Sequence, residues 1–249
     1  MIIIKNAEEI NRIRKACRIV AKVLEELKFY LKEGLSTKNI ELFIENLIEK
    51  MGGIPAFKGY RGYPASACIS INSQVVHGIP SNKVFIKEGD IVSVDVGVIF
   101  DGFYGDAAYT YQIGKISEEA KKLMKITEEA LYEGIKKAKP GKRIGDISYA
   151  IQRHVETNGF SVVRAFVGHG IGRSLHEEPQ IPNFGKEGTG PKLKKGMTLA
   201  IEPMVNAGTY EVVVLPDGWT AVTKDGSLSA HYEHTIAITE DEPEILTKI

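Results

Sequence analysis

Cysteine is nearly missing from this chain: Cys17 and Cys68 are the two in 249 residues. Two thiols cannot build a disulfide framework, which fits a reducing cytosol. No run approaches the ~20 apolar residues of a membrane span, and the apolar start Met1–Ile4 is too short for a signal peptide. An excess of charge is absent as well. Lys plus Arg number 32 and Asp plus Glu 32, so the basic footprint of a dedicated nucleic-acid binder is lacking. There is no Ser/Pro-rich linker. At 43% hydrophobic and 26% charged, what remains is a cytoplasmic globular chain long enough for a sizeable core.

Helical periodicity stands out in four places. Asn6 with Glu9 reads as a capped start, and Ile10, Ile13, Cys17, Val20, Leu24, Leu27 and Leu31 keep one face apolar up to Gly34. A second helix is predicted from Ser36 or Thr37 through Ile40, Phe43, Ile44, Leu47, Ile48 and Met51, stopped by Gly52-Gly53. Short β-like runs follow. Ser117 before two glutamates opens a third helix with Leu123, Ile126, Leu131 and Ile135 inward, ended by Pro140-Gly141. A fourth carries Ile147, Ala150, Ile151 and Val155 as far as Gly159. Each half runs helix, helix, Gly stop, strands, which predicts a single domain over 1–249 with an internal repeat, halves about 1–112 and 113–249.

Chemistry concentrates in "IVSVDVGVIFDGFYGDAAYTY", residues 91–111. Asp101-Gly102 between β-formers predicts a two-residue hairpin turn in which Phe100 faces Phe103. Counting outward sets Asp106 opposite Gly97. Because side chains alternate, Asp95 points to the same face on the diagonal, roughly 7–8 Å away at the backbone. Two inward carboxylates at that spacing repel unless a cation lies between them. The alternative is a pair of solvent-facing acids. Val94, Val96 and Val98 form an apolar face, however, and Ser93, Asp95 and Gly97 a small polar one. Glu202 in "MTLAIEPMV" and Glu233 in "SAHYEHTIAIT" each interrupt a β-rich segment where an unpaired buried charge would be costly. In "GHGIGRSLHEEP", residues 168–179, His169 and His176 sit on what reads as a glycine-rich loop, open to metal ligation, proton shuttling or an incidental surface role.

Asp95, Asp106, His169 in "GHGIG", Glu202 in "IEPM" and Glu233 in "EHTIAIT" occur in the order of the five ligands of the pita-bread metallopeptidases, and the chain resembles that family along essentially its whole length. With "INSQVVHGIP" and "LHEEP" the resemblance narrows to the type I methionine aminopeptidases. It implies an α+β pita-bread fold, two related αβ halves around a central dinuclear site. The 30 residues between Glu202 and Glu233 leave no room for the helical insertion of type II enzymes. The first helix starts too early for the extra domain of prolidases or a zinc-binding extension.

The resemblance further implies two divalent ions, drawn from Co, Mn, Fe(II) or Zn, since oxygen-rich ligation with one imidazole does not name its metal. One ion would take Asp106, His169, Glu202 and Glu233, the other Asp95, Asp106 and Glu233. Glu202 would be the general base, His176 would hydrogen-bond the substrate carbonyl, and His77 in "VVHGIP" would meet the scissile amide or the next residue. Methionine selection falls to Tyr60, Tyr63, Cys68 and Trp219, with Leu175 and Phe57 as departures from many relatives. His154 reads as structural, and His231 and His234 carry no assignment. The expected partners are nascent polypeptide N-termini, and possible contact with the ribosome is left open. The protein is expected to act as a monomer, with no membrane and no nucleic acid read directly. A proline-specific hydrolase of the same fold, or a non-catalytic binding relative, is the rival reading.

Overall fold

The computed structural model describes residues 1–248. Helix α1 (Ala7–Tyr30) begins at a complete capping box, with the Asn6 side chain accepting from Glu9 N and the Glu9 carboxylate accepting from Asn6 N. It stops short of Gly34 because Leu31 turns to extended backbone. Helix α2 (Thr37–Lys50) is capped by Ser36, and α3 (Glu118–Lys136) by Ser117. Helix α4 spans Ile144–Thr157.

Strands β1 (Ile54–Pro55), β2 (Cys68–Ile71), β3 (Gln74–Val76), β4 (Ile91–Phe100) and β5 (Phe103–Gln112) precede α3. After α4 come β6 (Ser161–Val162), β7 (Gly168–Gly170), β8 (Glu177–Ile181), β9 (Thr198–Ile201), β10 (Met204–Asn206), β11 (Val212–Val214), β12 (Ala221–Thr223), β13 (Ser229–His231), β14 (His234–Ala237) and β15 (Glu244–Ile245). Strand β4 is central to one sheet, pairing with β5 along one edge and with β1 and β2 along the other. A second sheet runs β15-β14-β9-β7-β8, and two smaller ones run β13-β10-β6 and β11-β12-β3.

The β4–β5 hairpin has the expected register, Phe100 against Phe103 and Gly97 against Asp106. Asp101 and Gly102 both have positive φ, 52° and 72°, the pairing that a two-residue turn matched to strand twist requires. Its apolar face, Val92, Val94, Val96 and Val98, packs under Ile19, Val20, Ile40 and Ile44 of α1 and α2. Leu123, Leu131, Ile147 and Ile151 of α3 and α4 form a second core with Leu199, Ile201 and Ile236. The face bearing Ser93, Asp95 and Gly97 is left for the space between these cores.

Glu202 and Glu233 do not lie within strands, contrary to expectation. The chain passes from the five-stranded sheet to a three-stranded one at Glu202-Pro203, between β9 and β10, and back at Tyr232-Glu233, between β13 and β14. The two kinks face each other, since β9 pairs with β14 and β10 with β13. Proline 203 lacks the N–H a continuous ladder needs, and each glutamate projects where its strand changes sheets. His169 also lies elsewhere than its sequence suggests. It belongs to strand β7, not a loop, and β7 is flanked by β8 and β9. A Cβ on Gly168 would stand 2.4 Å from Ala200 O, and one on Gly170 2.3 Å from Glu178 O. Those glycines serve close strand approach and hide the strand's periodicity.

Candidate metal centre

Asp95 on β4, Asp106 on β5, His169 on β7 and the two kink glutamates converge on one cavity of about 310 Å³. Ligand atoms of Asp106, His169 and Glu233 lie within 4.8 Å of one another. His169 Nε2 is 3.5 Å from Glu202 Oε1 and 3.9 Å from Asp106 Oδ2. His169 Nδ1 sits 2.9 Å from Gly170 O, so Nδ1 carries the proton and Nε2 keeps its lone pair toward the acids. Thr235 ties the strands together, with its Oγ1 donating to Asp106 O at 2.7 Å.

The electrostatics of this cluster demand compensation. Burial pushes Asp95 up to about 7. Asp106, Glu202 and Glu233 are raised well above the ordinary carboxylate range, first by burial and then by one another's charge. Burial holds His169 neutral, down at about 4. Asp95 Oδ1, Asp106 Oδ1 and Glu233 Oε1 are buried without any hydrogen-bond partner, an arrangement folded proteins avoid unless something else satisfies those oxygens. Four carboxylates and one imidazole form a hard, oxygen-rich donor set suited to a first-row divalent cation. The residues fit such an ion.

The outer side chains gather at the same cavity. The ring of His176 lies 4.3 Å from that of His169, and its Nδ1 is hydrogen-bonded to Tyr60 OH at 2.7 Å. One edge of His176 stays open to solvent, yet burial and the neighbouring His169 hold its proton affinity below the usual histidine value. His77 adopts a left-handed backbone, φ 60°, and meets Phe166 and Trp219 edge-on at 5.2 and 6.3 Å. Tyr63 packs edge-on against Trp219 at 5.1 Å and donates to Gly78 O at 3.0 Å. Cys68 stands beside Asp95 in register. Phe57 and Leu175 close the apolar side.

Three residues near the site escaped the sequence reading in whole or part. Phe166 and Arg61 line the cavity, and His231, buried, brings Nε2 to 3.7 Å from Glu202 Oε2. His231 flanks Glu233 in sequence, which was the available signal. Nothing in the pattern singles out Arg61. His154 pairs with Glu129 at 3.0 Å and His234 with Thr247 at 2.8 Å, both away from the acid cluster.

A sequence profile of metallopeptidase family M24 matches residues 11–240, which together with the acid–imidazole cluster defines the class of protein. Methionine aminopeptidase of Clostridium perfringens (strain 13 / Type A) is 56% identical over 249 residues, covering 100% of both chains. The crystal structure of methionine aminopeptidase from Thermotoga maritima superposes with a TM-score of 0.99 at 53% identity, covering 100% of each chain. Prolidase from Pyrococcus furiosus shares the fold at a TM-score of 0.80 and 27% identity, but this chain covers 66% of it. The chain belongs to metallopeptidase family M24 and, within it, to the methionine aminopeptidases, with their α+β pita-bread fold.

Proposed function

We propose that the protein removes the N-terminal methionine from nascent proteins and peptides whose second residue is small, by hydrolysis of the first peptide bond. The observation that carries the reading is the convergence of Asp95, Asp106, His169, Glu202 and Glu233 with unpartnered buried carboxylate oxygens. The full-length likeness to methionine aminopeptidases supports it and favours it over a proline-specific hydrolase or a binding module.

Asp106, His169, Glu202 and Glu233 are assigned to one divalent ion, and Asp95, Asp106 and Glu233 to a second, with Co, Mn, Fe(II) and Zn as candidates. Divalent metal there supplies Lewis acidity, lowering the pKa of water and polarising the scissile carbonyl. Glu202 would take the proton of the attacking water and pass it to the departing amine. With Nδ1 occupied by Tyr60, His176 donates from Nε2 to the carbonyl oxygen as charge develops on it. His77 contacts the scissile amide or the residue after it, and a bulky second side chain collides with the wall it belongs to. Tyr63, Cys68 and Trp219 enclose an apolar lobe for the thioether, to which Tyr60 adds its ring face.

The protein is read as one catalytic domain of two related halves, about 1–112 and 113–249, supported by the succession α1–α2–strands and α3–α4–strands. Among the described residues no helix is long and apolar enough to cross a membrane. A cytoplasmic monomer meeting chains as they leave the ribosome completes the proposal.

Metal analysis of protein purified without added ions, with turnover of Met-Ala-Ser, tests the reading. Chelation is expected to abolish turnover, and one of the four ions to restore it. Extended Met-Gly, Met-Ala and Met-Ser peptides should be cleaved, and Met-Lys, Met-Leu and N-acetyl-Met-Ala peptides hardly at all. Full activity in excess EDTA with metal verified absent, or equal rates for Met-Ala and Met-Lys, would overturn it.

A further inference from the structure

Arg61 is the one lysine or arginine among the residues that line the catalytic cavity. Its guanidinium lies 5.4 Å from the centre of the Tyr60 ring, and the Tyr60 hydroxyl is bonded to His176. Among the described residues it forms neither an ion pair nor a hydrogen bond. By contrast Arg173, in the turn before His176, pairs with Glu9 at 3.3 Å.

The backbone under Arg61 is left-handed, φ 50° and ψ 22°. Few non-glycine residues adopt that conformation, and those that do cluster at working sites. The chain folds back tightly here, with Tyr60 N donating to Phe57 O at 2.9 Å and Gly59 N to Tyr63 O at 2.8 Å. The turn lifts an unpaired, exposed guanidinium to the mouth of a cavity whose floor is acidic. His77, the other cavity residue with positive φ, is one to which a substrate contact is already assigned.

We infer that Arg61 is a specificity-determining residue that reads the substrate beyond its second position, favouring peptides with an acidic side chain at the third. This rests on the aminopeptidase reading above. A substrate whose N-terminus occupies the acidic floor must leave through the mouth, where Arg61 is the charge it meets. A carboxylate gains a partner there, and a lysine meets like charge next to a group with no counter-ion of its own.

The experiment compares kcat/KM of the metal-loaded enzyme on three C-terminally amidated peptides, Met-Ala-Asp-Ser, Met-Ala-Ser-Ser and Met-Ala-Lys-Ser. The wild-type protein should prefer the aspartate over the lysine peptide by about tenfold, the scale of one attraction and one repulsion at a partly exposed site. The preference should shrink severalfold in roughly 0.5 M salt, where screening acts within about 4 Å. Arg61→Gln should bring the ratio near one, and Arg61→Lys should keep most of it. A ratio unaltered in Arg61→Gln overturns the inference, as does an equal loss on all three peptides, which would mean that Arg61 merely supports Tyr60. If Arg61→Gln fails to fold, the salt dependence of the wild-type ratio and the Arg61→Lys ratio decide instead. Failure of wild type to cleave Met-Ala-Ser-Ser would strike the aminopeptidase reading, a result distinct from failure of charge discrimination.

Discussion

Replacing Tyr60 with phenylalanine removes one oxygen from the site and little else. That oxygen lies 2.7 Å from Nδ1 of His176. The ring that faces Arg61 and the wall it gives the apolar lobe are retained. A good neutral hydrogen bond contributes about 0.5–1.5 kcal/mol net, a factor of roughly 2 to 13 in rate if it is needed equally throughout the reaction. On the role proposed for His176, the bond orients a ring whose other nitrogen presents a proton to a developing oxyanion, so the loss belongs in the chemical step. We expect kcat of Tyr60→Phe on Met-Ala-Ser to fall about fivefold, with KM changed less than about twofold. Metal content and melting temperature should match wild type. Steady-state kinetics on metal-saturated protein reads both constants, and ¹⁵N NMR of histidine-labelled protein reports the proton position on His176. Wild-type kcat in Tyr60→Phe, or a change confined to KM, would show that Tyr60 is a pocket wall and that His176 is oriented by something else.

Asp106→Ala and Glu233→Ala should lose metal on elemental analysis, whereas His176→Ala should keep metal and fold but turn over roughly 100-fold more slowly. Metal loss in His176→Ala would reverse that assignment. Stripping the metal should also make stability pH-dependent. The acids of the cluster are raised above their unfolded values, so the stability they contribute is present below about pH 4 and lost as pH rises through about 7, the value of Asp95. Chelated protein should melt lower at about pH 8 than at about pH 6, and metal-loaded protein much less so. A chelated protein with equal melting temperatures at both would refute the charge argument. Glu177→Ala breaks the buried pair of Lys5 and Glu177, 2.5 Å apart with side chains 3% and 6% exposed, and should cost about 3–5 kcal/mol by denaturant melt. Turnover should suffer too, because the Glu177 carboxylate also accepts from Arg173 N and Ser174 N in the turn that leads to His176.

Local rules made much of this molecule legible. Asn6 with Glu9, and the serines before α2 and α3, mark helix starts because caps are satisfied within three residues. Asp101-Gly102 fixes a ten-residue register because both turn positions need positive φ, and that register alone brings Asp95 and Asp106 to one face. What stayed hidden depends on distant chain. The glycines around His169 look like loop residues until Ala200 O and Glu178 O occupy the space beside them. The kinks at Glu202 and Glu233 exist because paired strands change sheets together, and neither segment alone records its partner. Arg61 and the Lys5–Glu177 pair depend on residues that meet only after folding, so no short pattern announces them.

The kinks have a mechanical consequence. Asp95 and Asp106 hang from a hairpin paired along its whole length, and neither can shift without shearing a ladder. Glu202 and Glu233 sit where two sheets hand over to each other, outside the strand pairs on either side, each held there by a single bond, Asn183 Nδ2 to Glu202 O and Glu233 N to Ala108 O. The centre therefore has one wall held by a continuous ladder and one held by single bonds. Ions of different radius should be accommodated by movement of the glutamates while the aspartates hold station. Chelated protein titrated with each candidate ion in turn is therefore expected to bind several of similar size.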